Sequence, residues 1–283
     1  MENVKAKKIA NLEDTARCEF VWDKTLLPSS AFWRKFRNTF LHPGWLWSWV
    51  IKDSDIEALL GSVERPKEFR YILNKLLVRF LWFWSRLVDA EVWVNEKNDP
   101  SPFRELTEDS RLLVDVVVAH SLVKDAGILD VGCNCGRHLA ALADLGFSNL
   151  HGVDISSEAI RVMQDWFPQL EGKCKAKRDL IQSYLSKTPD GAFDIVFTRG
   201  ATVELIHPSF PLVPELCRVA RSYIVLMIRE NEHAYPRFWI YEFARCGFLL
   251  TQLVRPVQQV MLDKALGRGI SLLVFRRKPN STD

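Results

Sequence analysis

The chain has 283 residues, is 48% hydrophobic and carries a formal net charge of +3. That length suits one large domain or a core with an appendage, and the apolar share is ordinary for a globular protein. The charge is too small to argue nucleic-acid binding, and no run of about 18 apolar residues promises a spanning helix. Met1 to Asp14 is charged and lacks an apolar centre, so no secretory signal is expected. Six scattered cysteines suit a reducing cytoplasm. Cys133 and Cys135 form a Cys-x-Cys pair with no second pair, a poor zinc pattern, and no metal is expected.

Eight of the ten tryptophans fall before residue 94. Trp45, Trp47 and Trp49 alternate after the turn signal His42-Pro43-Gly44. Tyr71 to Val88 is helical in pattern, with Lys75, Arg79 and Arg86 along one side and a wide apolar face. Three readings stand for this segment: core or lid packed on the next domain, a helix lying in a membrane interface, or a surface for a protein partner. Asn95 to Pro102 reads as a linker or exposed loop. The expected division is a mainly helical, aromatic-rich extension over 1–100, an α/β domain over 101–277, and a polar tail over 278–283.

A helix over Arg111 to Val123 leads into the most informative stretch, Ile128-Leu129-Asp130-Val131-Gly132-Cys133-Asn134-Cys135-Gly136-Arg137. An apolar run, an acid and small residues spaced two apart predict a buried strand, a tight loop and the start of a helix. Gly132 and Gly136 let the backbone turn sharply and approach a ligand, and Asn134 tolerates positive φ better than most residues. The helix from Arg137 to Leu145 stops at Gly146, and its first N–H groups can serve an anion. Leu150 to Asp154 is a second strand ending in an acid, 24 residues after Asp130, whose oxygens suit both hydroxyls of a ribose. Cys174 onward gives a third strand before Asp179, then come strands at Phe193–Thr198, Tyr223–Ile228 and Ile270–Phe275, with a helix at Phe238–Cys246. Strands alternating with helices predict a mostly parallel sheet. A dinucleotide loop wants Gly-x-Gly-x-x-Gly, whereas Gly132 and Gly136 are four apart, and Asp130 would repel a pyrophosphate. The same acid suits the ammonium end of an amino-acid-bearing cofactor.

From about Leu122 to Arg276 the chain resembles the class I S-adenosylmethionine-dependent methyltransferases. Asp130 to Gly136 is similar to their first motif, Asp154 to their ribose-binding acid, Asp179-Leu180 to the acid beside the adenine amino group, and Phe193-Asp194-Ile195-Val196-Phe197 to their fourth strand. The resemblance implies a Rossmann-like sheet of seven strands, the last inserted antiparallel, with helices on both faces, and S-adenosyl-L-methionine as cofactor. It implies cofactor contacts from Asp130, Gly132, Asn134, Gly136, Asp154, Ile155, Asp179, Leu180 and Thr198. Arg137 either reaches the cofactor carboxylate or is a solvated helix residue. Asp154 and Asp179 each have a second reading, as caps of the helices that follow them.

Methyl transfer is a displacement in which the cofactor supplies the chemistry and the protein orients and dries the site. Acceptor residues belong beyond the carboxyl ends of the strands. The stretch Thr198 to Pro208 after the fourth strand holds Arg199, Glu204 and His207, and His207 is the best candidate base because it titrates near neutrality. A structural role beside Pro208 is the alternative. Arg229, Glu230 and His233 follow the fifth strand, where Glu230 or His233 can orient an acceptor. Arg199, His233 and Trp93 are assigned to the substrate. The fourth strand is followed by Thr198-Arg199-Gly200-Ala201, not Asn/Asp-Pro-Pro-Tyr/Phe, and only one Glu lies in that loop. The expectation is O- or N-methylation of a small molecule, for instance a sugar or secondary metabolite. Nucleic acid is not the expected partner. An RNA methyltransferase, and a cofactor-binding scaffold docked to a partner or membrane, are the alternatives. The expected location is the cytoplasm, with peripheral membrane contact through the Trp-rich third left open.

Overall fold

The computed structural model describes residues 99–121, 123–200, 203, 206, 210–228, 237, 239–254 and 270–279. The aromatic extension, with its Tyr71–Val88 helix, lies outside the described residues, as do Trp93, Glu204, His207, Glu230 and His233.

Alternation along the strands decides the layers. In β1 (Ile128–Val131), Ile128 faces one core while Leu129 and Val131 face the other. The same period of two runs through β4 (Phe193–Arg199) from Ile195 onward, after a register shift at Phe193, and through β5 (Ala220–Ile228) and β7 (Ser271–Arg277). One face is covered by α1 (Glu108–Ala119), α2 (Arg137–Asp144) and Met163 of α3 (Ser157–Trp166). The other is covered by Leu185 of α4 (Ile181–Lys187), by α5 (Leu212–Val219) and by α6 (Trp239–Arg245). With β2 (Leu150–Asp154), β3 (Cys174–Arg178) and β6 (Phe248–Val254), the seven strands lie in the order β3-β2-β1-β4-β5-β7-β6. Strands β1 to β5 pair in parallel, and β7 is antiparallel to both β5 and β6. This is the seven-stranded Rossmann-like sheet that the resemblance implies.

Chain order reverses between β1 and β4, the kind of switch point beyond whose carboxyl strand ends open α/β sheets bind their ligands. Three boundaries differ from the sequence reading by three residues or more. Helix α1 starts three residues early, at Glu108: Thr107 is extended and Glu108 and Asp109 supply acid to the first turn. It ends at Ala119 because the Ser121 hydroxyl takes the Val117 carbonyl at 2.7 Å. Strand β5 begins at Ala220, directly at the C-cap of α5, with no turn residue to announce it.

Candidate functional site

The loop after β1 is built for close approach. Gly132, Asn134 and Gly136 have φ values of 79°, 49° and 85°, a run that side chains other than Asn or Gly rarely adopt. The Gly132 and Cys133 N–H groups both donate to the Val153 carbonyl, at 2.8 and 3.1 Å, which pins the loop to the end of β2. A Cβ on Gly136 would stand 2.8 Å from Met163 Cε, and one on Gly152 would stand 2.8 Å from Cys133 Sγ. Gly136 is also the N-cap of α2 and offers no side chain to cap it, so first-turn N–H groups are left for another acceptor.

Three carboxylates converge on this loop. Asp154 accepts the Asn134 N–H at Oδ2 and the Ser156 N–H at Oδ1, each at 2.8 Å. Burial raises its pKa above the ordinary carboxylate value, with those two hydrogen bonds opposing the rise. It does not cap α3: Ser156 does, accepting the Ala159 N–H. Each Asp154 oxygen has lone-pair capacity left for a hydroxyl donor. Asp179 follows β3 and is 2% exposed, with its backbone N–H on the Asp154 carbonyl. Neither of its oxygens has a hydrogen-bond partner, although Lys177 Nζ lies 3.5 Å from Oδ2. Nor does it cap α4, whose N-cap Leu180 makes no side-chain cap bond. Two buried carboxylate oxygens without a hydrogen bond, after a strand next to the β1 loop's own neighbour β2, call for a donor such as an exocyclic amino group. Asp130 is fully buried, and its Oδ1 is likewise without a partner. These three acids and the glycine cradle fit S-adenosyl-L-methionine: hydroxyl, amino and ammonium donors would meet Asp154, Asp179 and Asp130 in turn.

Other predicted residues are already engaged. Arg137 is buried and donates from Nη1 to the Glu105 carbonyl at 2.9 Å, with Phe103 beneath its guanidinium. Thr198 is buried and donates its hydroxyl to the Val131 carbonyl at 2.7 Å, which ties β4 to the start of the loop. Arg199, at the end of β4, is paired with the buried Asp109 of α1 through Nε at 2.9 Å and through Nη2. Ile155 and Leu180 sit half-buried, one residue past Asp154 and Asp179. Burial pushes the Cys135 thiol up to about 11 and the Cys133 thiol well above its ordinary value, so both stay protonated at neutral pH and serve as small loop residues. Among the described residues, no group of three or more His, Cys, Asp or Glu could hold a metal ion, and no helix is long and apolar enough to cross a membrane.

Sequence reasoning missed His138, Ser110 and Asp109, all buried and joined to this site. Nothing periodic marks them. The one available signal is a histidine on the first turn of the helix that follows the loop.

Residues 128–222 match a family model described as a methyltransferase domain. EEF1A lysine methyltransferase 2 of Danio rerio is 23% identical over 199 residues, covering 66% of this chain and 77% of that protein. Ajmaline N-methyltransferase of Rauvolfia serpentina is 28% identical over 113 residues, covering 39% of this chain and 38% of that protein. The chain thus spans most of the first relative and little more than a third of the second. Among solved structures, an S-adenosylmethionine dependent methyltransferase from Mesorhizobium loti is similar with a TM-score of 0.48 and 14% identity, covering 60% of this chain and 98% of that one.

Proposed function

The chain belongs to the class I S-adenosylmethionine-dependent methyltransferases, and from that premise we propose that it methylates an amine nitrogen of a small molecule. The observation that carries this reading is the pair of named relatives: one is a lysine methyltransferase and the other an N-methyltransferase, so both names point to nitrogen. When bound, S-adenosyl-L-methionine supplies an electrophilic methyl group. The chain would hold it through Asp154 at the ribose, Asp179 at the adenine amino group and Asp130 at the ammonium end.

An aliphatic amine is protonated near neutral pH, so its lone pair must be freed first. His207 is the assigned base, with Glu204 three residues before it and Glu230 after the fifth strand as the other catalytic assignments; Arg199, His233 and Trp93 are the acceptor-side assignments. Such a base contributes about 100-fold or more, so His207→Ala should slow turnover by that order at neutral pH. The loss should shrink as pH rises and the free amine accumulates in solution. A deficit that stays constant across the profile would remove His207 from this role.

A second reading, transfer to a protein lysine, is favoured by the length of the match to the lysine methyltransferase, 199 residues. One experiment separates the two. The full chain is incubated with labelled cofactor and, in parallel, with a panel of small amines, a panel of small alcohols, a protein extract and RNA. Label in a small amine supports the proposal; label in protein lysine selects the second reading; label confined to alcohols or RNA overturns both.

A further inference from the structure

Next to the cofactor cradle runs a buried polar chain whose histidine and serine the reading above leaves unused. Asp130, the penultimate residue of β1, has no exposed surface, and His138 and Ser110 beside it are 6% and 0% exposed. His138 Nδ1 lies 3.3 Å from Asp130 Oδ2, and its Nε2 lies 3.2 Å from Ser110 Oγ. Thr107 Oγ1 in turn lies 3.0 Å from Ser110 Oγ. A carboxylate only accepts, so Nδ1 carries the imidazole proton and Nε2 takes the hydroxyl proton of Ser110. The edge of the ring meets Phe197 at 6.1 Å and 79°, which limits its rotation. One oxygen of Asp130 is therefore fixed by a histidine that α1 itself holds in place, and the other, Oδ1, has no partner at all. A buried, bare carboxylate oxygen is costly until a donor reaches it.

We infer that His138, held by Ser110, is a positioning residue: it sets the Asp130 carboxylate so that Oδ1 receives the ammonium of the amino-acid end of S-adenosyl-L-methionine. The inference rests on the cofactor assignment and is independent of the acceptor. A histidine that merely filled space would satisfy neither oxygen and would need no second anchor on α1.

Calorimetry with two ligands tests it. S-adenosylhomocysteine carries the ammonium; 5′-methylthioadenosine keeps the adenosine thioether and lacks the amino-acid end. His138→Leu is expected to weaken S-adenosylhomocysteine about tenfold or more while changing methylthioadenosine affinity less than about twofold. His138→Asn places an amide N–H near the former Nδ1–H and is expected to recover most of the loss. Ser110→Ala, which deletes one hydroxyl, is expected to give a smaller loss with the same selectivity, and it carries the test if the leucine variant does not fold. Equal losses for both ligands, no loss, or an asparagine variant as weak as the leucine one would overturn the proposal. A wild-type chain that binds neither ligand would instead remove the cofactor assignment beneath it.

Discussion

Each oxygen of Asp154 already accepts one backbone N–H, from Asn134 and from Ser156. The carboxylate is thereby aimed before any ligand arrives, and its remaining lone pairs would meet the two hydroxyl donors of the proposed ribose at little cost in reorientation. Removing it deletes charge-assisted hydrogen bonds worth roughly 1.5–3 kcal/mol, so Asp154→Ala should weaken S-adenosylhomocysteine by about one to two decades in calorimetry. Unchanged affinity would show that the sugar is held elsewhere. His138 sets a pH dependence of stability. Burial pushes its pKa below the ordinary value, with Asp130 opposing from β1 and Arg137 and Arg199 adding to the depression from α2 and β4. The unfolded chain then binds the proton more readily than the folded one. Stability from this group is complete above pH ~6.5 and is lost as pH falls through the folded-state pKa. Denaturant midpoints between pH 7.5 and 5 should drop more steeply for the wild type than for His138→Asn, and parallel slopes would remove the histidine as the cause.

At the level of elements, the loop after β1 rests on two glycines of different kinds. Gly136 is needed for its positive φ, whereas Gly152 has an ordinary backbone and is needed for space. Gly152→Ala would set a methyl 2.8 Å from Cys133 Sγ and 2.9 Å from Leu139 Cδ1, both fully packed. Overpacking of this kind costs about 1–3 kcal/mol, seen as a lower melting temperature, and Cys133→Ala in the same chain should recover part of it by vacating the sulfur's place. No recovery would mean that Leu139 alone sets the limit. Local pattern made the strand–loop–helix of residues 128–144 and the acids after β2 and β3 legible, because a buried strand, a run of small residues and a terminal acid are all neighbours in sequence. Strand β6 was not legible by itself: its residues Thr251, Gln252 and Leu253 are exposed, its register shifts between Leu250 and Gln252, and no period of two survives. The start of β5 was hidden for a related reason, since Arg221 and Ser222 look like loop residues although Ala220 is already paired with Phe193.

Across the whole molecule, the parts of the site that sequence did not disclose are those joined over long separations. Ser110 meets His138 across 28 residues and Asp109 meets Arg199 across 90; neither pairing leaves a mark in hydrophobic period or motif spacing. These contacts seat the segment before the sheet against the cofactor loop. Cys135 Sγ reaches the Phe103 carbonyl at 3.3 Å, Arg137 holds that of Glu105, and Arg199 pairs with Asp109 from the end of β4. Residues 103–109 are thereby tied to the cofactor loop and to the end of β4. The ion pair is the strongest of the three ties. Its acid is 1% exposed and its base 15%, so deleting one partner leaves a poorly solvated charge. Hydrogen bonding from Thr107 and Arg199, with the Arg199 charge, outweighs the desolvation of Asp109 and holds its carboxyl below the ordinary value. Partial exposure of Arg199 discounts the usual figure for a buried pair, which leaves about 1–3 kcal/mol of coupling. A double-mutant cycle on Asp109→Ala and Arg199→Ala, read by urea unfolding, should return that coupling, with the double variant more stable than the sum of the single losses predicts. Strict additivity would mean that α1 is held by its apolar face alone, through Leu113, Val114 and Val117, and that Arg199 is free to serve an acceptor.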